Sequence, residues 1–386
     1  MKKYTNSYLS YFLMYGFFYL SWALFAQLTS VYLLGKGYNA TEVSLVVSCS
    51  YFTSMVMQPI IGSFSDRYSV RKVMTVLFVL AGFGGIAFML ANSLITIIIG
   101  YCFVLTLING TVTILEKVAT TSPYRYGSIR IWGTIGYASG SQIAGILYDK
   151  ISPSAIFIVF FVTMLIATIG LIGTRPKLSQ KEDTQTKENV KTITLFTNKK
   201  YLYYLVICGL FSGVASIGNT YIPSMLNYSG LAVSITSTVL SVAVICEAPI
   251  VFFSHKFMDR FANKTLITIS FILIMIQYGT YGFNLGLPLM VAGTFLAKHT
   301  AGMLLAMTNL KVVNTIVNEK QQITALAFIA TFKNLCNIVF QNVGGRVLDM
   351  TSYPTLFKIL FGILALGLVL VFFFKIESGN DKQIFN

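Results

Sequence analysis

The chain is short of charge. Aspartate, glutamate, lysine and arginine make up 11% of its 386 residues, against about 25% in soluble domains, so almost none of it reads as a water-facing domain. A GxxxxGK[ST] phosphate loop is missing, which leaves no place on this chain for the nucleotide of a primary pump. The five cysteines, Cys49, Cys102, Cys208, Cys246 and Cys336, are far apart and fall inside apolar runs. They read as small buried residues and not as a disulfide or metal framework. Neither a nucleophile–base pair nor a metal-ligand cluster stands out, so no enzyme activity and no cofactor are expected. Polar stretches are lacking too, with one exception: residues 175–200, RPKLSQKEDTQTKENVKTITLFTNKK, have no apolar period and are expected to form a partly disordered cytoplasmic linker.

What is present is hydrophobic, 55% of the chain. It falls into twelve stretches, each near the ~20 helical residues that cross a hydrocarbon core: roughly 8–34, 42–64, 73–91, 94–116, 123–148, 154–174, 201–226, 234–257, 264–284, 287–317, 322–347 and 353–375. The fold class is therefore all-α and membrane-integral, with twelve spans in two six-helix bundles, residues 1–174 and 201–386, joined by 175–200. The net charge of +15 follows topology. Of the 28 Lys and Arg, 21 lie in the amino terminus, the even-to-odd loops and the carboxyl tail, and only Lys36, Lys150 and Lys358 lie in the opposite loops. By the positive-inside rule both termini are cytoplasmic. The basic residues attract anionic lipid headgroups, and no nucleic-acid partner is expected. Met1-Lys2-Lys3 precedes an apolar run too long for a signal peptide, so the run is read as a retained first span in a plasma membrane of bacterial type.

The sequence repeats itself. Asp66-Arg67 and Asp259-Arg260 are 193 residues apart, each after an even-numbered span; Gly145 to Asp149 and Gly345 to Asp349 are similar segments 200 apart. Parallel repeats of this kind are the layout of rocker-type secondary transporters.

A charge at the bilayer centre costs about 2.5–3.5 kcal/mol. Arg130, Glu247, Lys298 and Lys333, all inside spans, should therefore face water or one another. Thr134, Tyr137 and Ser141 share a helix face with Arg130, which suits a hydroxylated ring or a carboxylate by forked hydrogen bonds and stacking. The alternative is a structural pair of Arg130 with Glu116. Glu247 is a mid-membrane carboxylate fit to carry a proton, or else a permanent partner of Lys333 or Lys298. Lys333, Asn337 and Gln341 form a polar stripe on span 11, read as a cavity wall; Ser212, Ser216, Asn219 and Pro223 form one on span 7. Adjacent Lys298 and His299 point about 100° apart around a helix, so they cannot address one spot; His299 is either structural or part of the proton path. Tyr15, Tyr19 and Trp22 make an i, i+4, i+7 aromatic stripe that serves packing or cavity lining. Asn109 and Thr113 share the Glu116 face of span 4.

The loop Gly62-Ser63-Phe64-Ser65-Asp66-Arg67-Tyr68-Ser69-Val70-Arg71-Lys72 resembles the signature between spans 2 and 3 of the major facilitator superfamily, with Ser69 where a glycine is usual. Gln58-Pro59, Glu116-Lys117-Val118 with Arg130, Lys311, Glu319-Lys320 and Lys333-Asn334-Leu335 are similar to the lactose-permease-like branch. Glu247-Ala248-Pro249 with Asp259-Arg260 resembles span 8 of related sugar, nucleoside and aromatic-acid carriers. The resemblance implies a cytoplasmic gate of Asp66, Arg67, Arg71, Asp259 and Arg260, with Glu116 meeting Lys320. It also implies an essential substrate-binding arginine at Arg130 and a stacking position at Tyr137. Four positions depart from the branch: Val112 replaces a sugar-binding carboxylate, Ser216 and Asn219 replace neutralising aspartates, and Ala301 replaces a coupling glutamate. The expected function is proton-coupled uptake of an oligosaccharide or similar polar solute by alternating access. Arg130, Tyr137, Trp22, Tyr19, Asn109, Asn219, Lys333, Asn337 and Lys298 would bind it, and Glu247 and His299 would handle the proton. Nucleoside or organic-anion uptake is the alternative, and drug/proton antiport is a third reading that the central cations discourage. The expected partners are the solute, protons and lipid, with the chain working as a monomer.

Overall fold

The computed structural model describes residues 5–175, 195 and 197–376, and among these the side chains of Asp66 and Lys320 are not described. All regular structure in the described residues is helical. Among the described residues, eleven helical spans are long and apolar enough to cross a membrane: span 1 (Tyr8–Gly35), 2 (Ala40–Ser65), 3 (Val70–Leu90), 4 (Leu94–Thr120), 6 (Ala155–Gly173), 7 (Lys199–Tyr228), 8 (Val233–Phe252), 9 (Asn263–Gly282), 10 (Leu287–Ile316), 11 (Gln322–Met350) and 12 (Tyr353–Phe373). Span 5 (Tyr126–Lys150) is 25 residues long, ample at about 1.5 Å per residue. It falls outside that set because Arg130, Thr134, Tyr137 and Ser141 make it polar. The most polar span is the one bearing the first candidate site.

Most ends lie within a few residues of the sequence expectation, and side chains hold several of them. Asn39 and Glu42 form a reciprocal capping box at the start of span 2, as Ser93 and Thr96 do at span 4, satisfying amides a helix start leaves without partners. Span 5 corrects one expectation. The run read from the sequence opens at residue 123, but the helix begins at Tyr126 with Arg125 as N-cap. The Ser122 hydroxyl instead closes a turn, accepting from the Tyr124 amide at 3.3 Å, while the Tyr124 ring is wedged edge-on against Tyr8 and Tyr11. Arg130 is therefore just over one turn into its helix.

Contacts divide the chain into two compact units, residues 1–180 with 220–245, and residues 181–219 with 246–386. In the first, span 1 packs along spans 5 and 6, span 2 on span 4, and span 3 on spans 4 and 6. Glycine makes the closest of these contacts possible: a Cβ at Gly136 of span 5 would overlap the Gly16 carbonyl of span 1. Such small-residue seams are how membrane helices gain contact where lipid offers no hydrophobic drive. Helix Val233–Ile245 lies against span 5 in the same unit. Ser241 donates to the Ala138 carbonyl at 2.7 Å, and Asp149 accepts from the Ser234 amide at 2.7 Å. The Tyr221 hydroxyl reaches the Ala40 carbonyl at 2.6 Å. In the second unit, span 9 packs on spans 10 and 12.

One contact occurs once in each unit at equivalent repeat positions. Arg71 donates to the Ile172 carbonyl at 3.3 Å at the end of span 6. Lys264, 193 residues later, donates to the Phe372 carbonyl at 2.5 Å at the end of span 12. Cations thus complete helix C-termini that have no further amides to bond them.

Candidate functional site

In the first unit, Glu116 of span 4 is enclosed by hydroxyls. Its Oε1 accepts from Tyr15 at 2.6 Å and Tyr19 at 3.1 Å, and its Oε2 from Tyr126 at 2.7 Å. Arg130 turns its Nε toward Oε1 at 4.0 Å, and the guanidinium lies over the Tyr19 ring at 5.5 Å. The helical repeat places these groups together. Tyr15 and Tyr19 are i, i+4 on span 1, Tyr126 and Arg130 are i, i+4 on span 5, and the Gly136–Gly16 seam brings the two faces into contact. Beyond Tyr19 the aromatic surface continues through Trp22 (5.8 Å) to Tyr137 (6.2 Å), whose hydroxyl donates to Gln27 Oε1 at 3.0 Å. Asn109 lies on span 4 with its amide donating to Ser54 at 3.0 Å.

The second unit holds its titratable groups where helices break. Span 8 stops being helical after Ile245 and resumes as Ala248–Phe252 and Ser254–Phe257, with Glu247 at the interruption. Pro249 has no N–H to give the Ile245 carbonyl, which explains the break. Span 10 is divided into Leu287–Ala297 and Thr300–Ile316, with Lys298 and His299 between. Here the Thr300 hydroxyl takes the Leu296 carbonyl, a side-chain bond that bends helices. The two breaks meet: His299 Nδ1 lies 3.8 Å from Glu247 Oε2. Lys298 takes the other direction, its Nζ 3.1 Å from Asn219 Oδ1 on span 7. Pro223, four residues on, deprives the Asn219 carbonyl of its intrahelical donor. The two adjacent residues of span 10 thus have separate partners.

The polar stripes of spans 7 and 11 are spent in part on each other. The Ser212 hydroxyl and the Asn337 amide are 2.9 Å apart, and buried Gln341 donates to the Ser216 carbonyl at 2.8 Å. Asn337 therefore joins two helices here. Lys333, one turn before it, is half-buried.

A family model described as the Major Facilitator Superfamily matches residues 9–297 and again 222–385. The chain belongs to this superfamily. It is a multi-pass membrane transporter. It is similar to the sucrose permease of Escherichia coli, at 24% identity over 99% of this chain and 96% of that one. It is also similar to the probable 3-phenylpropionic acid transporter of Escherichia coli, at 22% over 77% of this chain and 79% of that one. The crystal structure of the nucleoside transporter NupG superposes with a TM-score of 0.81 over 95% of this chain and 97% of that one, at 15% identity.

The superfamily signature loop lies between spans 2 and 3. Arg67 is exposed, Arg71 holds the end of span 6, and the Asp66 side chain lies outside the described residues. In the repeat loop Asp259 is buried and Arg260 exposed. Lys311, fully buried, donates to the Met258 and Phe261 carbonyls at 2.7 and 2.6 Å, fixing that loop. Glu116 has the tyrosines and Arg130 as partners, and the side chain of Lys320, its expected gate partner, lies outside the described residues. Sequence reasoning did not single out Tyr126 or Gln27. The i, i+4 spacing of Tyr126 to Arg130 was the available signal for the first; nothing local marks the second.

Proposed function

We propose that the chain is a proton-coupled importer of a small polar solute, working by alternating access, with residues 1–174 and 201–386 as repeated halves and 175–200 as their linker. The observation that carries this proposal is the Glu247–His299 pair, 3.8 Å apart at the interruptions of spans 8 and 10. A carboxylate and an imidazole are suited to take up and pass on a proton, which across 3.8 Å needs one bridging water or a slight approach of the two groups, and broken helices are where transporters place substrate and ion sites. Arg130 with Tyr19, Trp22 and Tyr137 is assigned to the solute, and Lys298, Lys333, Asn109 and Asn219 to its surroundings. The loops bearing Asp66, Arg67, Arg71, Asp259 and Arg260, with Glu116 and Lys320, are assigned to the gate.

An oligosaccharide is the first choice of solute, favoured by the similarity to a sucrose permease over nearly the whole length of both chains. Uptake of an organic anion is the second reading. Lys298 and Lys333 favour it, since Glu247 is turned to His299 and Lys298 has an amide oxygen for company.

The test uses the full chain in proteoliposomes, with labelled solutes and an imposed pH gradient, acid outside. Accumulation driven by the gradient and lost in Glu247→Gln, with solute exchange retained, is the expected result. Accumulation indifferent to the gradient, or undiminished in Glu247→Gln, would remove the proton from the mechanism.

A further inference from the structure

The polar groups around Arg130 differ in what they have left to offer a ligand. Glu116, the one carboxylate there among the described residues, already accepts three hydroxyl hydrogens, from Tyr15, Tyr19 and Tyr126. Gln27 has its oxygen engaged by Tyr137. What remains is a set of N–H donors beside tyrosine oxygens that, having donated their hydrogens, can still accept. Arg130 meets Glu116 through Nε, and its Nη groups make no hydrogen bond among the described residues. The Gln27 amide nitrogen and the Trp22 indole N–H likewise have none among the described residues. Asn109 supplies a spare amide oxygen two turns along span 4, its nitrogen being held by Ser54. Between these donors lies the aromatic surface of Tyr19, Trp22 and Tyr137, with successive rings 5.8 and 6.2 Å apart.

A neutral sugar would use the guanidinium less fully than a carboxylate would. Each sugar hydroxyl offers the guanidinium a single neutral oxygen and must place its own hydrogen on a tyrosine oxygen or on Asn109. A carboxylate brings acceptors only, and its two oxygens fit the paired Nη edge of a guanidinium. A ring on the same molecule would cover the Trp22 and Tyr19 faces. We infer that the solute is a ring-bearing organic carboxylate, held by its carboxylate at Arg130 and by its ring at Trp22. The inference rests on the carrier reading above and develops its second reading, uptake of an organic anion.

The chain has two tryptophans. Trp132 donates to Tyr8 at 2.7 Å, so Trp132→Phe leaves Trp22 as the one tryptophan, which is excited selectively at wavelengths the tyrosines do not absorb. In the full-length Trp132→Phe protein, in lipid, phenylacetate should quench this emission saturably. Sucrose and benzyl alcohol, the latter having the ring without the carboxylate, should need at least tenfold higher concentrations. Adding Arg130→Gln should raise the phenylacetate Kd by about 10- to 100-fold, and Arg130→Lys, which keeps the charge and loses the fork, by less. The comparison of the three ligands needs no Arg130 variant, so a misfolded variant does not spare the inference. Saturable quenching by sucrose but not by phenylacetate overturns it, as does equal response to phenylacetate and benzyl alcohol, or no response to phenylacetate. Gradient-driven sucrose uptake without phenylacetate binding would overturn the inference and leave the coupled carrier standing. Phenylacetate binding with gradient-independent uptake would do the reverse.

Discussion

Replacing Glu116 with leucine would strip three tyrosines and an arginine of their common acceptor, and the cost can be worked from the geometry. Hydrogen bonds to a charged group contribute about 1.5–3 kcal/mol each, so three would reach roughly 5–9 kcal/mol if all were dry and additive. They are not. The Glu116 and Arg130 side chains remain 29% and 34% exposed, so water replaces part of what is lost and the ion pair at 4.0 Å adds little. The expected loss is about 2–4 kcal/mol. The tyrosines should rank by burial. Tyr15 is fully buried with its bond at 2.6 Å, whereas Tyr126 is 40% exposed. Tyr15→Phe should therefore cost about 1–2 kcal/mol and Tyr126→Phe under about 1 kcal/mol. Thermal unfolding in detergent, followed by a thiol-reactive dye entering at buried Cys102 and Cys208, gives the order directly. If Glu116→Leu melts with the parent protein, or Tyr126→Phe costs as much as Tyr15→Phe, the tyrosine cage is not a stabilising unit.

Two further variants test the seams of the first unit. Gly136→Ala forces a methyl group onto the Gly16 carbonyl and should cost about 1–3 kcal/mol in the same melting assay; an unchanged midpoint would mean spans 1 and 5 separate without penalty. Asp149→Ala removes the carboxylate that accepts the Ser234 amide and should cost about 1 kcal/mol. Hydrogen exchange of the first amides of helix Val233–Ile245 should quicken, and exchange at the parent rate would show that this cap is idle.

The spans were legible because crossing a membrane is a local property: a run of apolar residues is long enough or it is not. Asn263–Gly282 and Leu287–Ile316 differ from the runs read off the sequence by a residue or two. Span 5 was harder at its start. Whether Ser122 caps a helix or closes a turn depends on Tyr124 meeting Tyr8 and Tyr11, more than a hundred residues earlier in the chain. Span 8 carried its own warning in Pro249. Span 10 carried little, since a Thr300 hydroxyl bonding backwards to Leu296 leaves no trace in hydropathy.

By itself, then, the sequence determined which residues had to be accounted for. Arg130, Glu247, Lys298 and Lys333 announce themselves because charge is costly in hydrocarbon wherever the chain goes. Only the tertiary structure decided with whom each would share that cost. It gave Glu116 to three hydroxyls from spans 1 and 5, Glu247 to His299, and Asn337 to Ser212. Helical periodicity states which face a side chain occupies, but partners on other spans are set by which helices pack together and at what depth. That depends on seams such as Gly16 against Gly136, formed between residues distant in sequence and close only in the folded chain.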